Sequence, residues 1–492
     1  MTTDPLLCVT VTAPTTAELR EARDRVTGAD LVELRLDTVS DPSVAGALAG
    51  RRQPVIVTCR AAWEGGSFKG SEEERRALLQ EAIEQGAEYV DIELRAGFDD
   101  LIAENEGRGI VLSSHDFQKM PGDLADRSRA MRATGAEVIK IAAKANRLSD
   151  CLRLRDVEAA RGATGRAVLI AMGEAGLATR ILAGRFCSAW TYAGSLPDIG
   201  QVSAAMLLDD YRFRSLGPST AIYGLAGSPI AHSVSPAMHN AAFATVGADA
   251  VYLPLPASDA DDFVTFARAI GLKGASVTIP FKVSLVDRVD SADDAVRRIG
   301  ALNTIRIDDG KWLARNTDVA GFLEPLDDRG VKLNGQRVSI LGAGGSARAV
   351  AVAAASREGI VTVHARDRER AARVAAIVGG KVGDWPPAAD SWDVLVNCTP
   401  IGMHPQVDET PVARADLRAG LVYDLVYNPM DTRLLRAAAS MGCGTIGGLD
   451  MLVGQAMEQF HWWTGTRPPA AVMRAAALKR LAEFRSDENH VV

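Results

Sequence analysis

The chain has few cysteines, few lysines, no long apolar run and no excess of positive charge. Its six cysteines, Cys8, Cys59, Cys151, Cys187, Cys398 and Cys443, are scattered without metal-like spacing. That argues against a thiolate metal site and a disulfide scaffold. In a chain this long they read as reduced core residues of a cytoplasmic protein. No stretch reaches the roughly 18 uninterrupted apolar residues of a membrane-spanning helix. Met1 to Leu7 lacks the basic start and apolar run of a signal peptide. The net charge of -7 gives no sign of a nucleic-acid or membrane partner, so an anionic ligand has to be held by local basic groups. Only ten of the 55 basic residues are lysines. A lysine inside an apolar run is then notable, because lysine can lose its proton and arginine cannot.

What is present is a globular composition, 47% apolar and 24% charged over 492 residues, enough for two or three domains. Eight short β-rich runs recur in the first 195 residues: 6–13, 31–36, 54–60, 89–94, 109–115, 138–143, 167–173 and 188–194. Helix-patterned stretches such as 15–26, 71–85 and 123–134 lie between them. Strand alternating with helix implies a parallel sheet, and eight such units predict a closed barrel with short helices.

In such barrels chemistry sits at the carboxyl ends of the strands. Glu33 and Arg35 lie late in the second run, Arg60 closes the third, His115 closes the fifth, Lys140 sits inside the sixth and Arg180 follows the seventh. A cation-rich mouth around one lysine and one histidine fits an anionic carbonyl substrate. Lys140 lies in Val138-Ile139-Lys140-Ile141-Ala142. Apolar surroundings disfavour an ammonium, and a free amine can attack a ketone to give an imine, which acts as an electron sink. The alternative is a lysine whose stem packs while its head reaches water. His115 is a candidate general base or an ordinary hydrogen-bonded residue. Glu33, Arg35 and Arg60 could equally form surface ion pairs.

These stretches, taken in order, resemble type I 3-dehydroquinate dehydratase. The similarity runs over residues 1–215 through Glu33-Leu34-Arg35-Leu36-Asp37, Thr58-Cys59-Arg60 with Glu64-Gly65-Gly66, Ser114-His115-Asp116, Val138 to Ala142, Met172-Gly173-Glu174 with Arg180, and Gly200-Gln201. The resemblance implies a (β/α)8 TIM barrel and a Schiff base at Lys140. His115 then removes a proton and helps protonate the leaving hydroxyl, with Glu64 near it. Glu33, Arg35, Arg60, Arg180 and Gln201 are implied to bind substrate, the arginines meeting its carboxylate. Pro197 stands where the family has a substrate-contacting serine; Ser195 is the nearest replacement.

Leu216-Gly217-Pro218-Ser219-Thr220 is turn-forming and marks the best domain boundary. Strand–helix alternation then restarts. An apolar strand leads into Gly342-Ala343-Gly344-Gly345-Ser346-Ala347-Arg348 and an alanine-rich helix, with another strand at 360–364. Glycines let a backbone approach a pyrophosphate seated on a helix amino end; a plain tight turn is the alternative. At the tip of the next strand, Arg366 and Arg370 suit a 2'-phosphate and favour NADP, while Asp367 leaves NAD open. Lys282 follows an apolar strand and Asp318 lies in Asn316-Thr317-Asp318. A Lys–Asp pair can hydrogen-bond a reacting hydroxyl and exchange its proton; separately, each fits a surface turn.

Residues 221–485 resemble shikimate dehydrogenase. The stretches that carry this are Ser228 to Pro236, Ser276 to Lys282, Gly300 to Thr304, Asn316-Thr317-Asp318, Gly342 to Arg348, Asn397 to Pro400, Tyr423 to Tyr427 and Met451 to Gln455. The resemblance implies Lys282 and Asp318 as the catalytic pair. Ser233 and Ser235 then hold the substrate carboxylate, and Thr278, Asn303, Tyr427 and Gln455 its hydroxyls or ring. Ser276 stands where many relatives have asparagine. The implied architecture is a barrel, 1–215, then a two-lobed unit: a substrate lobe, 219–320, completed by about 450–485, and a Rossmann NADP domain, 321–450. One half would make 3-dehydroshikimate from 3-dehydroquinate and the other would reduce it to shikimate. Quinate as substrate, or NAD as cofactor, is the rival for the second half.

Overall fold

The computed structural model describes residues 4–159, 165–196 and 199–488. Three sheets organise them. In the first, β1 (Leu6–Val11), β2 (Leu31–Arg35), β3 (Val55–Thr58), β4 (Tyr89–Glu93), β5 (Ile110–Asp116), β6 (Val138–Lys144), β7 (Arg166–Met172) and β8 (Trp190–Ala193) run in the order β7-β6-β5-β4-β3-β2-β1-β8. All seven pairings are parallel. The seam between β7 and β8 is bridged by the Ala189 N–H donating to the Ala167 carbonyl at 2.7 Å. The result is the eight-stranded parallel barrel that the repeating runs predict. Its interior is filled by side chains including Ile56, Val111, Val138, Val168 and Trp190, as expected of a packed core rather than a pore.

The helices between these strands are short, as a barrel of this length requires. The helix Glu72–Glu84 starts on a reciprocal cap in which Ser71 accepts from the Glu74 N–H and Glu74 accepts from the Ser71 N–H. After β7, Gly173 has φ 85° and Gly176 caps the helix Leu177–Ile181 that carries Arg180.

The second sheet is mixed and has the order β10-β9-β11-β13-β14-β12. Its strands are β9 (Ala221–Gly227), β10 (Ala250–Pro256), β11 (Gly274–Val277), β12 (Ser291–Ala292), β13 (Thr304–Asp308) and β14 (Lys311–Arg315). The third, with the order β17-β16-β15-β18-β19-β20, is parallel throughout. It comprises β15 (Arg337–Leu341), β16 (Ile360–His364), β17 (Lys381–Gly383), β18 (Val394–Asn397), β19 (Leu421–Asp424) and β20 (Gly444–Gly447). That order is the doubly wound dinucleotide-binding one, whose ligand crevice opens where the direction of winding reverses, here beyond β15 and β18.

The chain divides into two compact units, Met1–Ala221 with Asp249–Ile270, and Ile222–Ala248 with Gly271–Val492. The first break falls between Ala221 and Ile222, at the start of β9 and just past the Leu216–Thr220 turn. The return of Asp249–Ile270 to the first unit is a division that the local pattern does not announce. Among the described residues no helix is long and apolar enough to cross a membrane, and no group of His, Cys, Asp and Glu has the arrangement of a metal site.

Candidate active sites

Alternation along a strand sends every second side chain to the same face. Asp91 and Glu93 on β4, Ser113 and His115 on β5, and Lys140 on β6 therefore share the barrel interior, while Ile139 and Ile141 face the other way. Register places Lys140 opposite Ser113, and His115 one step nearer the carboxyl end, opposite Ala142. Lys140 is buried. Its apolar sequence neighbours do not describe its surroundings. The amine lies 3.0 Å from Asp91 Oδ2, 3.4 Å from Glu33 Oε1 and 4.3 Å from the centre of the Tyr192 ring.

Arg60 donates to Asp91 at 2.8 Å, Glu93 at 3.1 Å and the Ser113 hydroxyl at 2.7 Å. Glu33 accepts from Thr10 at 2.9 Å and Thr58 at 3.0 Å. Burial pushes the Glu33 carboxyl up, but Lys140 and Arg35 outweigh it and leave it below its ordinary range. Burial also opposes ionisation of Asp91, and Arg60 and Lys140 win decisively, so its carboxyl titrates well below the usual range. Both carboxylates are therefore charged at neutral pH and frame the amine.

His115 Nδ1 lies 2.9 Å from Glu64 Oε1, which also accepts the His115 main-chain N–H at 2.9 Å. Burial, with Arg60 and Lys140 adding to it, drives the imidazole well below its ordinary value, so the ring is neutral at pH 7. Burial raises the Glu64 carboxyl to about 7. With that carboxyl ionised, Nδ1–H is the assigned donor and Nε2 is left as the base.

The remaining residues singled out in the barrel divide. Arg180 is fully buried and donates to the Tyr192 and Ile199 carbonyls at 3.3 and 2.8 Å; its Nε has no partner among the described residues. Burial alone lowers it to about 10, so it stays charged at neutral pH without a carboxylate beside it. A buried guanidinium in that state is suited to an incoming anion. Arg35 is instead held in a fork by Asp37, with both contacts at 2.8 Å. Gln201 reaches Thr10 at 3.5 Å and folds over Gly194, where any Cβ would meet its amide at 2.3 Å. Ser195 is exposed, and Pro197 lies outside the described residues. Asp91, Glu93 and Tyr192 were not singled out from sequence. The two acids, spaced by two in a run with buried Val90 and Ile92, are the signal that could have found them.

In the second unit, Lys282 lies in the helix Phe281–Ser284 after β11, and Asp318 opens the helix Asp318–Asp328. They meet at 2.5 Å. The other Asp318 oxygen accepts from Asn303 Nδ2 at 2.7 Å; that nitrogen also approaches Thr317 at 2.9 Å and Gln455 at 3.3 Å. The Thr317 N–H returns to Asn303 Oδ1 at 2.8 Å, so the amide cannot rotate freely. Ser233 accepts the Ser235 N–H at 3.3 Å and is hydrogen-bonded to the Tyr427 side chain. Thr278 packs against Gly227, at the root of the loop carrying Ser233 and Ser235; a Cβ at Gly227 would lie 2.4 Å from its methyl. The hydroxyl of Ser276 donates to Gln459 at 2.8 Å, a partner on the helix Gly448–Thr464 that sequence did not suggest.

The glycine turn follows β15. Gly342 has φ 110°, and a Cβ there would meet the Cys398 carbonyl and Thr399 methyl, both at 3.2 Å; only glycine fits. Gly344 caps the helix Gly345–Ser356 without a side-chain bond, and the space in front of it is open. Free N–H groups on an uncovered helix end fit a pyrophosphate. Ala347 is fully buried, Ala343 and Ser346 are half-buried, and a methyl at Gly345 would lie 3.1 Å from the Lys282 stem. The nucleotide turn and the Lys–Asp pair are thus neighbours. Arg366 and Arg370 are exposed beyond β16. Asp367 is spent as a helix cap, accepting from the Arg370 N–H at 3.0 Å.

Family models match both halves: type I 3-dehydroquinase at residues 7–218, the shikimate dehydrogenase substrate binding domain at 225–305 and the shikimate 5'-dehydrogenase C-terminal domain at 448–478. The chain is 35% identical over 480 residues to the chloroplastic bifunctional 3-dehydroquinate dehydratase/shikimate dehydrogenase of Arabidopsis thaliana, covering 90% of this chain and 79% of that one. It is 42% identical over 291 residues to the shikimate dehydrogenase (NADP(+)) of Symbiobacterium thermophilum, covering 55% of this chain and 97% of the relative. A shikimate dehydrogenase crystallised in complex with NADP+ superposes with a TM-score of 0.52 at 35% identity, over 54% of this chain and 97% of that one. With a dehydratase barrel and a dehydrogenase unit in one polypeptide, matched in order along most of its length, the chain belongs to the family of bifunctional 3-dehydroquinate dehydratase/shikimate dehydrogenases.

Proposed function

We propose that the enzyme dehydrates 3-dehydroquinate at Lys140 and reduces the resulting 3-dehydroshikimate to shikimate with NADPH at Lys282 and Asp318. The observation that carries this is the presence of two separate, complete proton-handling pairs: His115–Glu64 beside a buried lysine, and Lys282–Asp318 beside a glycine turn. Residues 1–215 are assigned to the dehydratase, 219–320 with about 450–485 to the dehydrogenase substrate lobe, and 321–450 to the cofactor domain. Six cysteines scattered along a chain of this length support a reducing compartment, which we take to be the cytoplasm.

In the barrel Lys140 passes its ammonium proton to His115 Nε2, and the amine so freed adds to the substrate ketone. The proton is returned to the hydroxyl of the adduct as it leaves as water, giving a protonated imine. Asp91 and Glu33 hold positive charge at that nitrogen, which draws electrons from the adjacent C–H bond. His115 Nε2 takes the proton and returns it to the hydroxyl as that leaves as water. Hydrolysis of the imine restores Lys140. Arg180 receives the carboxylate; Arg35, Arg60, Glu33 and Gln201 line the hydroxyls and set the orientation. No metal or cofactor is called on, since the imine is the electron sink.

In the second unit Ser233, Ser235 and Tyr427 take the carboxylate side of the ring, and Thr278, Asn303 and Gln455 its hydroxyls. NADPH, which Gly342 to Ala347 would hold by its pyrophosphate, would supply the hydride for reduction of the carbonyl. Lys282 hydrogen-bonds the carbonyl oxygen and delivers its proton, held in line by Asp318, which Asn303 keeps oriented. Gly342 to Ala347 form the pyrophosphate turn. NADP is favoured over NAD because Asp367 is committed to its helix while Arg366 and Arg370 remain available to a 2'-phosphate. Replacing both arginines by alanine is expected to raise KM for NADPH on the order of tenfold or more, the effect of losing charge-assisted hydrogen bonds, and to leave KM for NADH within about twofold. Equal losses with both cofactors would remove the assignment.

The direct test is a coupled assay. Purified protein given 3-dehydroquinate and NADPH should consume nicotinamide absorbance, with shikimate as product. No consumption with 3-dehydroquinate, alongside normal consumption with 3-dehydroshikimate, would confine the activity to the second half.

A further inference from the structure

We propose that Arg75, on the helix Glu72–Glu84 outside the strands, is a positioning residue for the dehydratase site and acts through Glu93 on Arg60. The proposal rests on the dehydratase reading of the barrel. Arg75 is among the largest side chains removed completely from solvent. Burying a guanidinium is costly unless its partners are well arranged, and the partners here all lead in one direction. Nη1 donates to Glu93 Oε2 at 2.5 Å and to the Cys59 carbonyl at 3.2 Å. The opposite oxygen of Glu93 accepts from Arg60 Nη1 and from the Ala61 N–H, both at 3.1 Å.

Arg60 is therefore clamped three ways: by the carbonyl before it, by the N–H after it, and by its own guanidinium. Arg75 and Glu93 supply all three. Nε and Nη2 of Arg75 are taken by Glu72 at 3.0 and 2.7 Å, and its face lies 4.9 Å from the centre of the Phe98 ring. The side chain has little freedom to swing. Beyond Arg60 the chain of opposite charges continues to Asp91 at 2.8 Å and from Asp91 to Lys140 at 3.0 Å. Cation and anion alternate from the helix to the reactive amine. Without Arg75, the buried Glu93 charge has Arg60 as its nearest cation, and it draws that guanidinium off Asp91. Two things are then lost together: the posture of Arg60 toward substrate, and the fixed position of the Asp91 carboxylate that holds Lys140.

A role confined to anchoring the helix gives a different result. It lowers the amount of competent barrel but leaves each competent site normal. The test uses the full-length chain with Arg75→Met, Arg75→Lys and Glu72→Gln, the last removing a partly exposed contact. Dehydration is followed by the absorbance of the enone product, and competent sites are counted by borohydride trapping with 3-dehydroquinate. Per trapped site, Arg75→Met should raise KM at least fivefold and lower kcat at least tenfold. Arg75→Lys should recover most of both, and Glu72→Gln should move both in the same direction by less. Reduction of supplied 3-dehydroshikimate should be unchanged in every variant.

Wild-type KM and kcat per trapped site in Arg75→Met would overturn the proposal. If that variant does not fold, wild-type KM and kcat per trapped site in Glu72→Gln would overturn it equally. Failure of the dehydratase reading is seen separately, as wild-type protein that neither traps substrate nor dehydrates it, and the proposal falls with it.

Discussion

Replacing Lys140 with arginine stops dehydration of 3-dehydroquinate, with kcat lowered by at least ~10^4-fold, the scale on which loss of a covalent nucleophile is felt. Arginine is the informative choice. Lys140 is a buried cation between Asp91 and Glu33, and a neutral replacement strands both carboxylates, a change that costs about 3–5 kcal/mol when one partner of a buried pair is removed. Arginine keeps the charge and cannot form the imine, so chemistry is lost while the barrel is kept. The comparison with Lys140→Ala separates the two effects: both variants should be inactive, and the alanine variant should melt at a lower temperature. Reduction of supplied 3-dehydroshikimate should persist in both. An active Lys140→Arg enzyme would mean that the site works by acid–base chemistry alone.

Replacing Lys282 with alanine reverses the pattern. Reduction should fall by about 10^2- to 10^4-fold, the contribution of a positioned proton donor, and dehydration should be untouched. In the coupled assay the enone then accumulates although NADPH is present. Asp318→Asn should give a smaller loss in the same direction. It keeps the shape that Asn303 holds at 2.7 Å but removes the charge that orients Lys282. Equal kcat values in Lys282→Ala and wild type, with only KM altered, would make Lys282 a binding residue rather than a proton donor.

The strands of both parallel sheets were legible because a strand buried on both faces reads as a short continuous apolar run. The glycine turn was legible because Gly342 needs both its left-handed backbone and its missing side chain. Candidate residues at strand ends were legible for the same reason: topology sends them to one place. What lay hidden was pairing across distance. Asp91 looks like any acid late in a strand until register sets it beside Lys140, 49 residues away. Ser276 looks like a simple loss of an amide until Gln459, 183 residues on, is found holding it. Lys140 itself misled in part. Alternation turns its isoleucine neighbours to the opposite face, so the apolar run marked a buried lysine but not the carboxylates that surround its amine. The return of Asp249–Ile270 to the first unit likewise rests on tertiary contacts that no local pattern records.

The most direct measurement is borohydride reduction of the enzyme in the presence of 3-dehydroquinate, followed by mass analysis of its peptides. A covalent adduct on the peptide containing Lys140, absent from Lys140→Arg, is the expected result. An enzyme that dehydrates its substrate at full rate yet yields no adduct, or carries it on another lysine, would contradict catalysis through an imine at Lys140.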